Sequence, residues 1–335
     1  MPGLLRVLGT IDLDQFWPDG ESDADTSKIK VKVSGGSFAF SSDGGKTFKK
    51  TNVYDNAFAR GASNKKVIDA QDRITVRLQG IDAPELHYRA APLKTSTSVS
   101  KAKRAAFNLE NKSPRRQYWA ETATVALAKK LSGYGSPVKC QVTSFIDYPY
   151  EVVDTYGRFV ANIRVGAKYN TDINLWLAAE GWAYPTFYSS MGPDEINAYL
   201  DILAKARRKG RIWKDYSTDT SKFDGKLLYR PHGEIAASND KGKVLMPKIF
   251  RRQLSFRLQK KAGVTTGSFT DYLRANRDPC FTTDEFLKEG ANTAPIRSLH
   301  DFMKGKKFAA KPHEIVFREK FSSLVNKNGK KIEKF

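Results

Sequence analysis

The chain is poor in cysteine: Cys140 and Cys280 are its only two. This excludes a disulfide-built scaffold and a zinc site made of thiolates. It has no run of about 18 apolar residues, so no membrane-spanning helix is expected. It also lacks the long basic amphipathic helix that lies on an anionic bilayer. The opening stretch MPGLLRVLGTIDLDQFWPDG has no charged start followed by an apolar run and meets acids early. It does not read as a secretory leader, and the expected location is the cytoplasm. Beyond about Tyr216 there is no internal repeat and no chemical motif. Acids are scarce beside bases, 36 against 57, giving a net charge of +21. Such a field attracts polyanions, nucleic acid first among them. What is plentiful is core material: 335 residues, 40% hydrophobic and 12% aromatic, enough for two or three globular domains.

The stretch around which the chain is organised is Arg73 to Glu85, RITVRLQGIDAPE. Ile74, Val76 and Leu78 alternate as in a half-buried strand, and Gly80 marks its end or a bulge. Pro84 cannot donate to a ladder and pushes Ala83 to extended backbone, so Ile81-Asp82-Ala83-Pro84-Glu85 should be a stiff corner. It sets Asp82 and Glu85 close to Arg77. Two carboxylates and a guanidinium at a strand end suit a divalent cation and a phosphate; the plain alternative is a surface turn of solvated charges.

Ahead of that corner, residues 3–11 and 28–33 read as strands flanking an acidic loop. Its Glu21, Asp23 and Asp25 either hold a cation or cap a turn. Ser41 to Phe48, SSDGGKTF, resembles an Asp-box, a hairpin whose Asp and Thr satisfy its own turn amides. Residues 49–72 are polar and expected as an extended loop. After Glu85 comes a basic segment poor in core residues, carrying Arg89 and Lys94 among eight cations against Glu110. Beside the acidic corner it could clamp a phosphate backbone; otherwise it is a solvated excursion. His87 is taken as a bystander.

Helical spacing follows over Tyr118–Leu131, a strand over Val138–Ile146 with Cys140 as core filler, and a tight turn at Asp154-Thr155-Tyr156-Gly157-Arg158. A strand Phe159–Val165, a short helix in Asn174–Ala183 ended by Gly181, and a helix Pro193–Lys209 complete this part. Beyond about Tyr216 the composition shifts, and the last third carries more than half of the positive surplus. There Val244–Ala262 reads as an amphipathic helix after Pro247. Its apolar set is Ile249, Phe250, Leu254, Phe256 and Leu258. Its basic set, Arg251, Arg252, Arg257, Lys260 and Lys261, either meets phosphates or solvates the face. Thr270–Arg274 and Thr283–Lys288 are short helical candidates, and Glu314–Val325 looks extended.

Taken together, the order of parts resembles the staphylococcal nuclease (thermonuclease) family. The likeness rests on Asp23-Ala24-Asp25-Thr26, on Arg77-Leu78 through Asp82-Ala83-Pro84-Glu85, and on Asp154 through Arg158. Asn174 through Gly181-Trp182-Ala183 and the closing Ala206 through Trp213 extend it over about residues 4–215. It implies an α+β protein with a five-stranded OB-type barrel and three helices over 1–216, bearing insertions near 34–70 and 88–115. Residues 217–335, outside the likeness, are expected as a smaller, basic, mixed α/β accessory domain.

The resemblance further implies a calcium site at Asp25, Asp82 and the carbonyl of Ala83, with magnesium or manganese as substitutes. It assigns catalysis to Arg77, Glu85 and Arg158, and substrate contact to Tyr156 and to Phe187 or Tyr188. The implied activity is metal-dependent hydrolysis of DNA or RNA with little sequence preference, giving 5′-hydroxyl and 3′-phosphate ends. Ala83 stands where the founding member has threonine, but the family uses only that carbonyl. A non-catalytic nucleic-acid scaffold of the same fold is the second reading. A regulatory protein partner for 217–335 is a third.

Overall fold

A computed structural model of the chain describes residues 2–33, 36–61, 64–231 and 240–335. The expected insertion near 34–70 includes 34–35 and 62–63, which lie outside the described residues. The chain folds into two compact units, each discontinuous in sequence. The first is Met1–Ile81 with Thr124–Leu177 and Glu319–Phe335; the second is Asp82–Ala123 with Ala178–Arg318.

The first unit is built on a closed five-stranded barrel: β1 (Leu4–Ile11), β2 (Thr26–Lys30), β3 (Arg73–Leu78), β4 (Val138–Phe145) and β5 (Phe159–Val165). β1 pairs antiparallel with β2 and with β4, β4 with β5, β2 with β3, and β3 closes the ring by lying parallel to β5. Closure leaves no ladder edge within the ring, which is how small β folds avoid edge pairing. Period-two alternation sends Leu5, Val7, Ile29, Ile74, Val76, Val142, Phe159 and Ile163 inward, all buried. Gly9 is required where β1 meets β2: a Cβ there would lie 2.5 Å from the carbonyl oxygen of Lys30. Burial pushes the Cys140 thiol up to about 12, in keeping with an inert filler.

The Asp-box turn is self-contained as expected, but Ser41 rather than the threonine shares with Asp43 the work of satisfying amides, its Oγ accepting from Gly45 N. Asp43 Oδ1 accepts from Ser41 Oγ and from the amides of Lys46 and Thr47, and these bonds, Ser41 foremost, lower its carboxyl to about 2. Residues 49–72 are less open than expected. Short strands Lys49–Lys50, Phe58–Ala59 and Lys65–Lys66 cross them, and Tyr54, Ala57, Ala59, Val67 and Ile68 are buried. Their apolar residues are too sparse to show an alternating pattern.

The second unit holds helices α1 (Lys101–Glu110), α4 (Pro193–Lys209), α5 (Pro247–Ala262), α6 (Phe269–Asn276) and α7 (Thr283–Glu289). The intervening α2 (Ala120–Ser132) and α3 (Ile173–Ala179) carry the chain between the two units. A four-stranded sheet in the order 187–188, 315–317, 279–282, 297–298 joins the second unit's helices. α5 follows its sequence pattern: Pro247 stands in its first turn, its five expected apolar residues are buried, and Gly263 at φ 78° ends it. α1 has no counterpart in the sequence pattern. Its segment has one buried apolar side chain, Phe107, and is instead strapped down by amides. Asn108 and Asn111 bond both backbone groups of Leu93 and Ala90, respectively.

Asn174, at the start of α3, fixes the exit of β3. It is fully buried, accepts from Ile163 N, and sets Nδ2 2.9 Å from Gln79 O and 3.1 Å from Ala161 O. Stripping these groups of partners leaves buried donors and acceptors that cannot reach water. Asn174→Ala should therefore lower stability by about 2–4 kcal/mol in urea unfolding. A change below about 1 kcal/mol would show that β3 does not depend on this clamp.

Candidate functional site

In the barrel unit the β2–β3 register places Thr26 opposite Arg77, and so brings Asp25 to the end of the strand that carries the arginine. Arg77 Nη1 lies 2.6 Å from Asp25 Oδ2 and 3.2 Å from the Asp25 carbonyl oxygen, which also accepts from Leu78 N. Both side chains are nearly buried, 10% and 13% exposed, so the pair is far less screened than a surface ion pair. Asp23 takes the turn-capping role: its Oδ1 accepts from Asp25 N.

The second arginine is held the same way. In the 154–158 turn, Asp154 Oδ1 accepts from the amides of Tyr156 and Arg158. Asp154 Oδ2 accepts from Arg158 Nε and Nη2, both at 2.8 Å. Gly157 at φ 79° supplies the left-handed step the turn needs. Tyr156 is 64% exposed, with the Arg158 guanidinium 5.3 Å from its ring centre.

In the second unit the 82–85 corner is as stiff as its proline suggests. Asp82, Ala83 and Pro84 are buried, and Asp82 keeps only 1% of its side-chain surface. Gln117 pins the corner in both directions. Its Oε1 accepts from Glu85 N at 3.1 Å, its amide donates to Glu85 O at 2.7 Å, and its Nε2 donates to Leu245 O. Next to it Arg116 joins Glu121 and Asp240, and Asp240 caps Thr122. Burial raises the Glu121 carboxyl, against the pull of Arg116. Arg251, from α5, sets Nη1 on Glu85 Oε1 and Nη2 3.5 Å from Asp82 Oδ2.

Of the expected pair Phe187 or Tyr188, Phe187 is fully buried, its ring centre 6.1 Å from that of Tyr199, and offers no face to a base. Tyr188 is half-buried and packs on Phe317. Arg89 and Lys94 are exposed. Three of the five cations expected on α5 are paired, while Arg257 and Lys260 are exposed. Arg251 is on the corner, Arg252 makes a two-pronged pair with Asp278, and Lys261 meets Glu110. Sequence patterns do not reveal Gln117 and Arg251, because each acts across a long sequence gap. The only signal is the Arg-Arg step beside buried Phe250 and Leu254.

Among the described residues, no group of three or more His, Cys, Asp or Glu is arranged to hold a metal ion. None of their helices is long and apolar enough to cross a membrane.

If Gln117 is what pins the corner, Gln117→Ala should speed amide exchange at Glu85 by about tenfold or more in a hydrogen-exchange measurement on the folded protein. Undiminished protection at Glu85 would mean that the corner is held by its proline alone.

No curated protein matches the chain. Residues 75–215, which supply four of the six residues of β3 and the whole of β4 and β5, match the family described as staphylococcal nuclease homologue, and the rest of the chain has no family match. Over this segment the chain, an α+β protein with a closed five-stranded barrel, is similar to the staphylococcal nuclease homologue family.

Proposed function

We propose that the protein is a metal-dependent nuclease that hydrolyses phosphodiester bonds of DNA or RNA with little sequence preference, leaving 5′-hydroxyl and 3′-phosphate ends. The observation that carries this reading is the 82–85 corner. A carboxylate 1% exposed and another 15% exposed, three residues apart on pinned backbone, are costly to fold around. Buried, preorganised charge of this kind is characteristic of functional sites.

The donor set fits a hard divalent cation in kind: carboxylate oxygens of Asp25 and Asp82 and the carbonyl of Ala83, with no soft ligand. Calcium is the cation the family suggests, with magnesium or manganese as substitutes. When bound, it would neutralise charge growing on a phosphate oxygen. The protein's own groups do the rest. Arg77 and Arg158, each aligned by an aspartate, match two phosphate oxygens with planar N–H forks better than lysine would. Glu85 takes the proton of a water attacking phosphorus, the P–O5′ bond breaks, and the 5′ oxygen leaves to be protonated. Tyr156 gives an unpaired base a face to stack on, which favours single-stranded or frayed substrate. Contacts to phosphate rather than base edges carry little sequence information. We assign residues 217–335, which are divided between the two units, the accessory role of adding phosphate grip through their positive charge or receiving a regulatory protein.

The test is an activity matrix of the full-length protein on single- and double-stranded DNA and RNA, with calcium, magnesium, manganese or a chelator. Cutting should require a divalent cation, and Glu85→Gln should slow it by about 100- to 10,000-fold. Arg158→Ala should cost about 100- to 1,000-fold. Tyr156→Ala should weaken single-strand binding by about 1–3 kcal/mol. Tight binding without cutting under every metal would instead support the non-catalytic scaffold.

A further inference from the structure

α5, which meets the 82–85 corner through Arg251, lies outside the matched segment, whereas the corner lies within it. Arg252 and Lys248 fix the helix by sharing Asp278: Arg252 Nε and Nη2 lie 2.7 and 2.6 Å from its two oxygens, and Lys248 Nζ lies at 3.3 Å. Burial alone would raise the Asp278 carboxyl, but the bonds from Arg252 and the Lys248 charge hold it low. Tyr88 sits on the same helix through Ser255, hydroxyl to hydroxyl at 2.9 Å. With α5 locked, Arg251 presents one guanidinium to two carboxylates. Its Nη1 is on Glu85, within hydrogen-bonding range. Its Nη2 is 3.5 Å from Asp82 Oδ2, beyond that range.

We propose that Arg251 is a built-in counter-ion that competes with the divalent cation for Asp82 and so sets the cation concentration at which the site loads. The inference rests on the reading of Asp82 as a cation ligand given above. A guanidinium and a divalent cation cannot both crowd one carboxylate without mutual repulsion, which is strong where water is excluded. Of the two contacts, the longer one to Asp82 yields first. Arg251 then pivots on Glu85 and keeps that carboxylate oriented, which makes it a positioning residue as well as a gate. In the absence of cation the same guanidinium relieves repulsion between Asp82 and Glu85.

The experiment is calorimetric titration of the full-length protein with calcium alone, paired with thermal melting in chelator and in saturating calcium. Arg251→Gln should bind calcium about tenfold more tightly than wild type, and Arg251→Lys, which keeps the charge but loses the fork, about threefold. Arg251→Gln should also melt lower than wild type in chelator and recover in calcium. A purely structural role would lower both melts alike. Calcium affinity equal to or weaker than wild type in Arg251→Lys, or in Arg251→Gln where it folds, overturns the proposal. If wild type binds calcium and Asp82→Asn abolishes binding while the Arg251 variants match wild type, only this inference fails. If wild type itself binds no calcium and cuts nothing, the nuclease reading fails and takes this inference with it.

Discussion

A carboxylate that has lost 99% of its contact with water must be compensated, and Asp82 is such a group. The cost of moving an ion from water into protein is several kcal/mol even after relaxation. Much of the surrounding structure answers that cost. The corner cannot flex because Pro84 and Gln117 hold its backbone, and α5 brings Arg251 to its two acids. Like charges three residues apart on a rigid corner would otherwise repel each other. A stable corner therefore needs a cation, either from the chain or from solution.

The barrel treats its two arginines by one principle. Each guanidinium is turned by an aspartate on neighbouring backbone, Arg77 by Asp25 and Arg158 by Asp154. The first pair follows from strand register, the second from a five-residue turn in which Asp154 also satisfies two amides. Both arrangements orient a planar fork before any ligand arrives. On the nuclease reading proposed above, such donors would not have to reorganise during the reaction. The surplus of +21 over the whole chain adds long-range attraction for polyanions, but local pairing decides which cations are aimed.

Much of this is legible in the sequence, for reasons specific to each element. Strict alternation in RITVRL and VKCQVTSF marks β3 and β4, and a proline at the start with a glycine after the end bounds α5. Asp-box chemistry is local, so SSDGGKTF announces its own turn. What stays hidden depends on distant partners. α1 has a single buried apolar side chain and is tied by two asparagines, so no hydrophobic period betrays it. Phe187 stands where the resemblance implies a substrate contact, yet it is taken into a sheet with 315–317 and buried there. Arg251 looks like any cation on a solvated face, and its partners stand 166 and 169 positions earlier. The interleaving of the two units, whose segments alternate along the chain, leaves no mark in composition.

The nuclease reading stands on Asp25 and Asp82 holding one divalent cation while Arg77 and Arg158 receive a phosphate. A crystal structure of the protein soaked with manganese and a nucleoside 3′,5′-bisphosphate, with the metal located by anomalous scattering, would look at both at once. We expect a single strong peak bonded to Asp25 and Asp82 oxygens, with the 5′-phosphate on both guanidinium groups and Arg251 withdrawn from Asp82. A cation bound elsewhere, or a phosphate that ignores Arg77 and Arg158, would overturn that reading.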